Sequence, residues 1–176
     1  MSRCQGKKIR VLFVCLGNIC RSPLAEGVFR KIVRERGLED CFEIDSAGTG
    51  PWHVGEPPDR RMQATANKHG VSLEGIRGRQ ISVKDLETYD YIFVMDKHNL
   101  HDVLYLDPEG KWGHKVQLFR VFDPEPGDYQ VPDPYYGGPQ GFEHVYEVVE
   151  RTAQALLDRL IEKHDLTAAV DGSSGS

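Results

Sequence analysis

A cysteine and an arginine frame one short loop, Cys15-Leu16-Gly17-Asn18-Ile19-Cys20-Arg21-Ser22, which follows the apolar run 9–14 and precedes Pro23. That order fixes the local fold. An apolar run of this kind reads as a fully buried strand, and the Ser-Pro pair reads as a helix start, with Ser22 as cap and Pro23 at the first helical position. A strand must therefore end, turn tightly and enter a helix within a few residues. A loop of this length wraps around one tetrahedral oxyanion. Its amides point inward, a thiol lies beneath and a guanidinium closes the side.

The rest of the chain repeats the alternation. Short apolar runs at 9–14, 42–46, 91–95 and 115–118 predict strands, and amphipathic stretches at 23–36, 59–69, 96–106 and 142–164 predict helices. This is the signature of an α/β domain with a parallel sheet. A chain of 176 residues fits one domain, and at that size about 70% of the unfolded surface is buried without staples. The reading assigns residues 1–164 to a single domain and residues 165–176 to a disordered tail. The segment 123–141 is rich in Pro, Gly, Asp and Tyr and predicts a long irregular loop, of a length that usually carries function.

The formal net charge is −5, and the Lys and Arg residues are scattered apart from the short pairs Lys7-Lys8 and Arg60-Arg61. Each pair reads as a solvated face, and nothing here favours nucleic acid as a partner. The first apolar run is too short for a membrane span or a signal sequence, so no membrane partner is expected. There are four cysteines, Cys4, Cys15, Cys20 and Cys41. Two in one loop suit reactive thiols in a reducing compartment better than a disulfide framework. The expectation is a soluble cytoplasmic protein, with Cys4 and Cys41 inert.

The loop's residue types match the demands of phosphate monoester hydrolysis. The dianionic ester repels an anionic nucleophile, so donors must hold its charge. Gly17 permits close backbone approach, and Asn18 tolerates the left-handed conformation a tight loop needs. Arg21 supplies a planar fork for two phosphate oxygens. The nucleophile has to be a thiolate. An ordinary thiol titrates near ~8.5, and bringing one to about 5 requires roughly 5 kcal/mol. A helix terminus supplies at most about 2 kcal/mol, and a hydrogen bond to a charged group about 1.5–3 kcal/mol. No single donor suffices; Arg21, the loop amides and the Ser22 hydroxyl have to act together. The loop holds no acid to protonate a leaving phenolate. Asp133, stiffened between Pro132 and Pro134 in the long loop, is the candidate general acid and then base, a role worth about 10²–10⁴ in rate.

The stretch 11–25, Val-Leu-Phe-Val-Cys-Leu-Gly-Asn-Ile-Cys-Arg-Ser-Pro-Leu-Ala, resembles the low molecular weight protein tyrosine phosphatases, and Asp133-Pro134-Tyr135 resembles their general-acid segment. Ile44-Asp45-Ser46-Ala47-Gly48, Asn67-Lys68-His69-Gly70 and Met95-Asp96 match as well, so the likeness runs over residues 8–163. It implies a three-layer fold, a four-stranded parallel twisted sheet with helices on both faces and a phosphate-binding loop after the first strand. It implies phosphotyrosine proteins as substrates, inorganic phosphate as product, and neither metal nor cofactor. By the same likeness Cys15 is the nucleophile, Arg21 the transition-state clamp and Asp133 the acid. Leu16, Gly17, Asn18, Ile19, Cys20 and Ser22 bind phosphate. Ser46 supports the loop together with Asn18, Ser22 and a histidine; at the position aligned with that histidine this chain has Ile76. Trp52, Tyr135 and Tyr136 are candidates for the walls of an aromatic slot or for ordinary packing. Cys20 is a candidate redox partner of Cys15 or a packing residue. Asp96 is a helix cap or an anchor for the loop.

Other functions fit less well. Arsenate reduction on this scaffold needs further thiols, and residues 77–99 hold no Cys. A phosphotyrosine-binding module would not need both Cys15 and Asp133. Relatives acting on phosphoarginine carry Thr where this chain has Ile19, whose branched side chain packs better on an aromatic ring. A nucleotide P-loop would end in Gly-Lys-Ser/Thr, which is absent from this loop.

Overall fold

Strand β1 (Ile9–Cys15) is paired in parallel on both edges, to β2 (Phe42–Gly48) and to β3 (Tyr91–Val94); β4 (Val116–Leu118) adds beyond β3, giving the order β2-β1-β3-β4. The computed structural model describes Cys4 and residues 7–135 and 138–166. A central parallel strand is covered on both faces, which is why residues 11–15 are apolar without a break. Successive side chains still alternate between two cores. Val11, Phe13 and Cys15 face one core, beneath α1 (Arg21–Glu35), α2 (Arg60–Lys68) and α5 (Pro139–His164). Leu12 and Val14 face the other, with Leu86 of α3 (Val83–Thr88) and Val103 of α4 (Lys97–Leu104). The fold is thus the three-layer α/β sandwich the sequence implied.

Phe13 is fully buried and meets the rings of Phe29 and Phe119 edge-on, at centroid distances of 5.6 and 5.3 Å. Its loss would cost about 3–5 kcal/mol on the scale of aromatic truncations in cores. The connection from β1 leads to β2 on one side, and the next strand, β3, lies on the other. The crevice at the carboxyl ends of β1 and β3 is therefore a topological switch point, where open α/β sheets bind ligands. Cys15 is the last residue of β1.

Several local expectations are corrected. Helix α1 starts at Arg21 with Cys20 in the capping position and no side-chain cap. Ser22 lies inside the first turn because its hydroxyl is taken by the loop. Helix α3 was not anticipated, although Ser82 and Asp85 form a reciprocal capping box that marks its start. Helix α5 begins at Pro139, three residues early. Asp165 adopts a left-handed conformation that caps α5, and Leu166 is buried and donates its amide to Ile161. These two belong to the helix end rather than to a tail; residues 167–176 lie outside the described residues. Cys4 and Cys41 form a disulfide, contrary to the expectation of inert thiols. Among the described residues, no helix is long and apolar enough to cross a membrane.

Candidate active site

The loop after β1 is held from behind by backbone bonds. Thr49 and Gly50, continuing from β2, donate to the carbonyls of Cys15 and Leu16 at 2.9 Å, and the Asp59 amide donates to Ile19 at 2.8 Å. Gly48 makes this close approach possible, since a Cβ there would stand 2.8 Å from the Leu16 carbonyl oxygen. Asn18 takes the left-handed conformation predicted for it, with φ 59°. Among the described residues, no backbone N–H of residues 16–20 donates to a protein acceptor.

Inside the loop, the Cys15 Sγ lies 3.0 Å from Ser22 Oγ and 3.4 Å from the Ser22 amide. The Asn18 carboxamide organises the rest. Its Nδ2 donates to Ser22 Oγ at 2.8 Å and to Ser46 Oγ at 3.1 Å, while its Oδ1 accepts from the Arg79 amide at 3.0 Å. Ser46 Oγ donates onward to Glu26 Oε1 at 2.6 Å. All four side chains — Asn18, Ser22, Ser46 and Glu26 — are buried. The network therefore closes without a histidine: Ile76 packs against the core, and the Arg79 amide satisfies Asn18 instead. The Arg79 guanidinium is itself fixed by Asp45 and Asp85. Burial pushes the Glu26 carboxyl up, against the opposing pull of Ser46 and of Arg30 at 2.6 Å.

Arg21 is 3% exposed, and its fork is aimed by two acceptors, Asp96 Oδ2 at 2.7 Å and the Val131 carbonyl at 3.0 Å. Asp96 fills both roles left open by the sequence. Its Oδ1 caps α4 through the Asn99 amide at 2.8 Å while Oδ2 holds Arg21. The Val131 amide donates to Met95 at 2.7 Å, which fastens the long loop to the end of β3. This brings Asp133 over the pocket, with Oδ2 3.6 Å from Arg21 Nη2 and Oδ1 accepting the Tyr135 amide at 3.0 Å.

The resulting cavity, of about 340 Å³, is lined by Cys15, Leu16, Gly17, Ile19, Cys20, Arg21 and Asp133. Trp52 and Tyr135 line the cavity; Tyr136 lies outside the described residues. Cys20 is a free, buried thiol; burial, with Asp59 and Cys15 adding to it, pushes it up. The sequence reading missed His53, a pocket residue bonded to Glu56 at 2.9 Å. It also missed Glu26 and Arg79, which carry no motif of their own. Arg61 is solvent-exposed, as the sequence reading has it, and in addition bonds Asp59 and the Tyr135 carbonyl.

Residues 10–166 match the family model for low molecular weight phosphotyrosine protein phosphatases. The chain is 43% identical to the low molecular weight phosphotyrosine protein phosphatase of Gallus gallus, over 88% of this chain and 97% of that one. Its fold superposes on a protein tyrosine phosphatase of Entamoeba histolytica with a TM-score of 0.84 at 36% identity, covering 89% of this chain and 99% of the other. A Drosophila arginine phosphatase is also similar, with a TM-score of 0.80 and 34% identity over 86% and 98% of the two chains. A cysteine-and-arginine phosphate loop on a doubly wound sheet defines the broad class. Within it, the chain belongs to the low molecular weight phosphotyrosine protein phosphatase family, and with it to the protein-tyrosine-phosphatases.

Proposed function

We propose that the chain hydrolyses phosphotyrosine in proteins through a phosphocysteine at Cys15. The observation that carries this reading is the convergence on one cavity of the Cys15 sulfur, the Ser22 hydroxyl and amide beside it and the buried fork of Arg21, next to a loop whose residues 16–20 give no amide to an acceptor among the described residues. The phosphoryl oxygens displace Asp133 from Arg21 and take the loop amides. The Cys15 thiolate attacks phosphorus, the bond to the phenolic oxygen breaks, and Asp133 gives that oxygen its proton. Asp133, now a carboxylate, takes a proton from water as the water attacks the phosphocysteine, which releases inorganic phosphate and restores the thiolate. Arg21 holds equatorial oxygens in both transition states, where the charge is greatest.

Trp52 and Tyr135 line the cavity and suit an aromatic leaving group, and Ile19 adds a branched apolar surface to the same lining. This favours tyrosine over phosphoarginine, the substrate that the Drosophila relative's name suggests. A cytoplasmic placement belongs to the proposal; the free Cys15 and Cys20 support it and the Cys4–Cys41 disulfide counts against it. The test is hydrolysis of phosphotyrosine, phosphoserine and phosphoarginine peptides beside Cys15→Ser. Turnover of phosphotyrosine alone, abolished in Cys15→Ser, is expected; activity surviving that substitution overturns the thiol mechanism.

A further inference from the structure

We infer that Arg61 is a positioning residue that fixes the distance between the two catalytic loops and aims Asp133 at the leaving group. The inference rests on the reading of Asp133 as the general acid.

Arg61 stands in the first turn of α2 and reaches three separate elements. Its Nη2 donates to the Tyr135 carbonyl at 3.0 Å, and its guanidinium carbon lies 5.4 Å from the Tyr135 ring centre and 4.7 Å from that of Phe142 on α5. Phe142 is buried, so that face of the guanidinium rests on a fixed surface. Its Nε and Nη2 also engage Asp59 Oδ1 and Oδ2, at 3.2 and 3.1 Å. Asp59 is the residue whose amide holds the Ile19 carbonyl of the phosphate loop. On the other side, the Tyr135 amide is the donor that fixes Asp133 Oδ1. A continuous path therefore runs from the nucleophile's loop through Asp59, Arg61 and Tyr135 to the acid.

The path requires a planar cation. One edge of the guanidinium must bind a carboxylate and a carbonyl while its faces lie against rings, and an ammonium offers neither plane nor fork. A proton donor misplaced by about 1 Å loses much of its effect, whereas attack by Cys15 does not depend on this path. Arg61 thus acts on leaving-group protonation and not on the nucleophile.

The experiment measures kcat/KM across aryl phosphates of increasing leaving-group basicity, from 2,4-dinitrophenyl to phenyl phosphate, for the full chain and for Arg61→Ala, Arg61→Lys and Asp133→Asn. Arg61→Ala is expected to lose about 10–100-fold on phenyl phosphate, part of the full acid effect, and less than about twofold on the dinitrophenyl ester, whose phenolate leaves without a proton. Arg61→Lys, which keeps charge and stem, is expected to show the same tilt more weakly. In the Asp133→Asn background Arg61→Ala should cost nothing further on phenyl phosphate, because the two act as one unit. An equal loss on every ester, or an additive loss in the double variant, overturns the role of Arg61. A flat leaving-group profile in Asp133→Asn itself overturns the assignment of the acid, and with it the premise.

Discussion

Arg21 and Asp96, seventy-five positions apart in the chain, meet across the switch point of the sheet with Nη1 donating to Oδ2 at 2.7 Å. The guanidinium is almost fully buried, and the carboxylate also caps α4. The pair sets the plane of the Arg21 guanidinium, the proposed phosphate clamp, and it ties the end of β3 to the loop after β1.

Removing the charge of that carboxylate tests the arrangement. Asp96→Asn replaces a charged hydrogen bond worth about 1.5–3 kcal/mol with a neutral one worth about 0.5–1.5 kcal/mol, a difference of about 1–1.5 kcal/mol, so kcat/KM on aryl phosphates should fall about 5–10-fold. Competitive inhibition by inorganic phosphate should weaken in parallel, since both read the aim of Arg21. Unchanged inhibition with reduced turnover would place the effect elsewhere.

Asp133→Asn keeps the side chain's shape and removes its proton. The expected loss in kcat is about 10²–10⁴ on phenolic esters. A loss below threefold in steady-state assays would mean that another group supplies the proton.

Cys20 lies beside the nucleophile as a buried thiol that burial keeps protonated. Peroxide should convert Cys15 to a sulfenic acid, which Cys20 then captures as a disulfide with release of water. Activity should return with dithiothreitol in the natural sequence and fail to return in Cys20→Ser. Irreversible loss in both chains at low peroxide would exclude the pairing.

Acid stability should report Asp123. Burial alone would raise this carboxyl, but bonds from Arg151, Arg120 and the Glu125 amide hold it at about 2. A folded-state value below the unfolded one adds stability above the unfolded range, lost as pH falls. About 2 kcal/mol should therefore disappear between about pH 4 and pH 2. Thermal melts across that interval should show a shallower acid limb in Asp123→Asn, together with a lower Tm at neutral pH.

The sequence by itself determined the strand, loop and helix around Cys15, the alternation that makes a parallel sheet, and the identity of Cys15, Arg21 and Asp133 as candidates. These rest on contacts within a few residues, on period-two and period-3.6 patterning, and on chemistry that admits few residue types. The tertiary structure alone decided which partners those residues have. Ser22 reads locally as a helix cap, yet it faces Cys15, bonded by Asn18, which is itself held by Ser46 of β2. Ile76 leaves no histidine for Asn18, and the Arg79 amide fills the gap only because residues 78–81 run beside the end of β2. Arg61 is solvated, as its sequence suggests, and only the tertiary structure gives it the Tyr135 carbonyl and the Phe142 ring as neighbours. Most of these contacts, those to Ser46, Arg79, Tyr135 and Phe142 among them, join residues distant along the chain. Their meeting depends on strand order and on how far each loop reaches, neither of which is encoded within any short stretch.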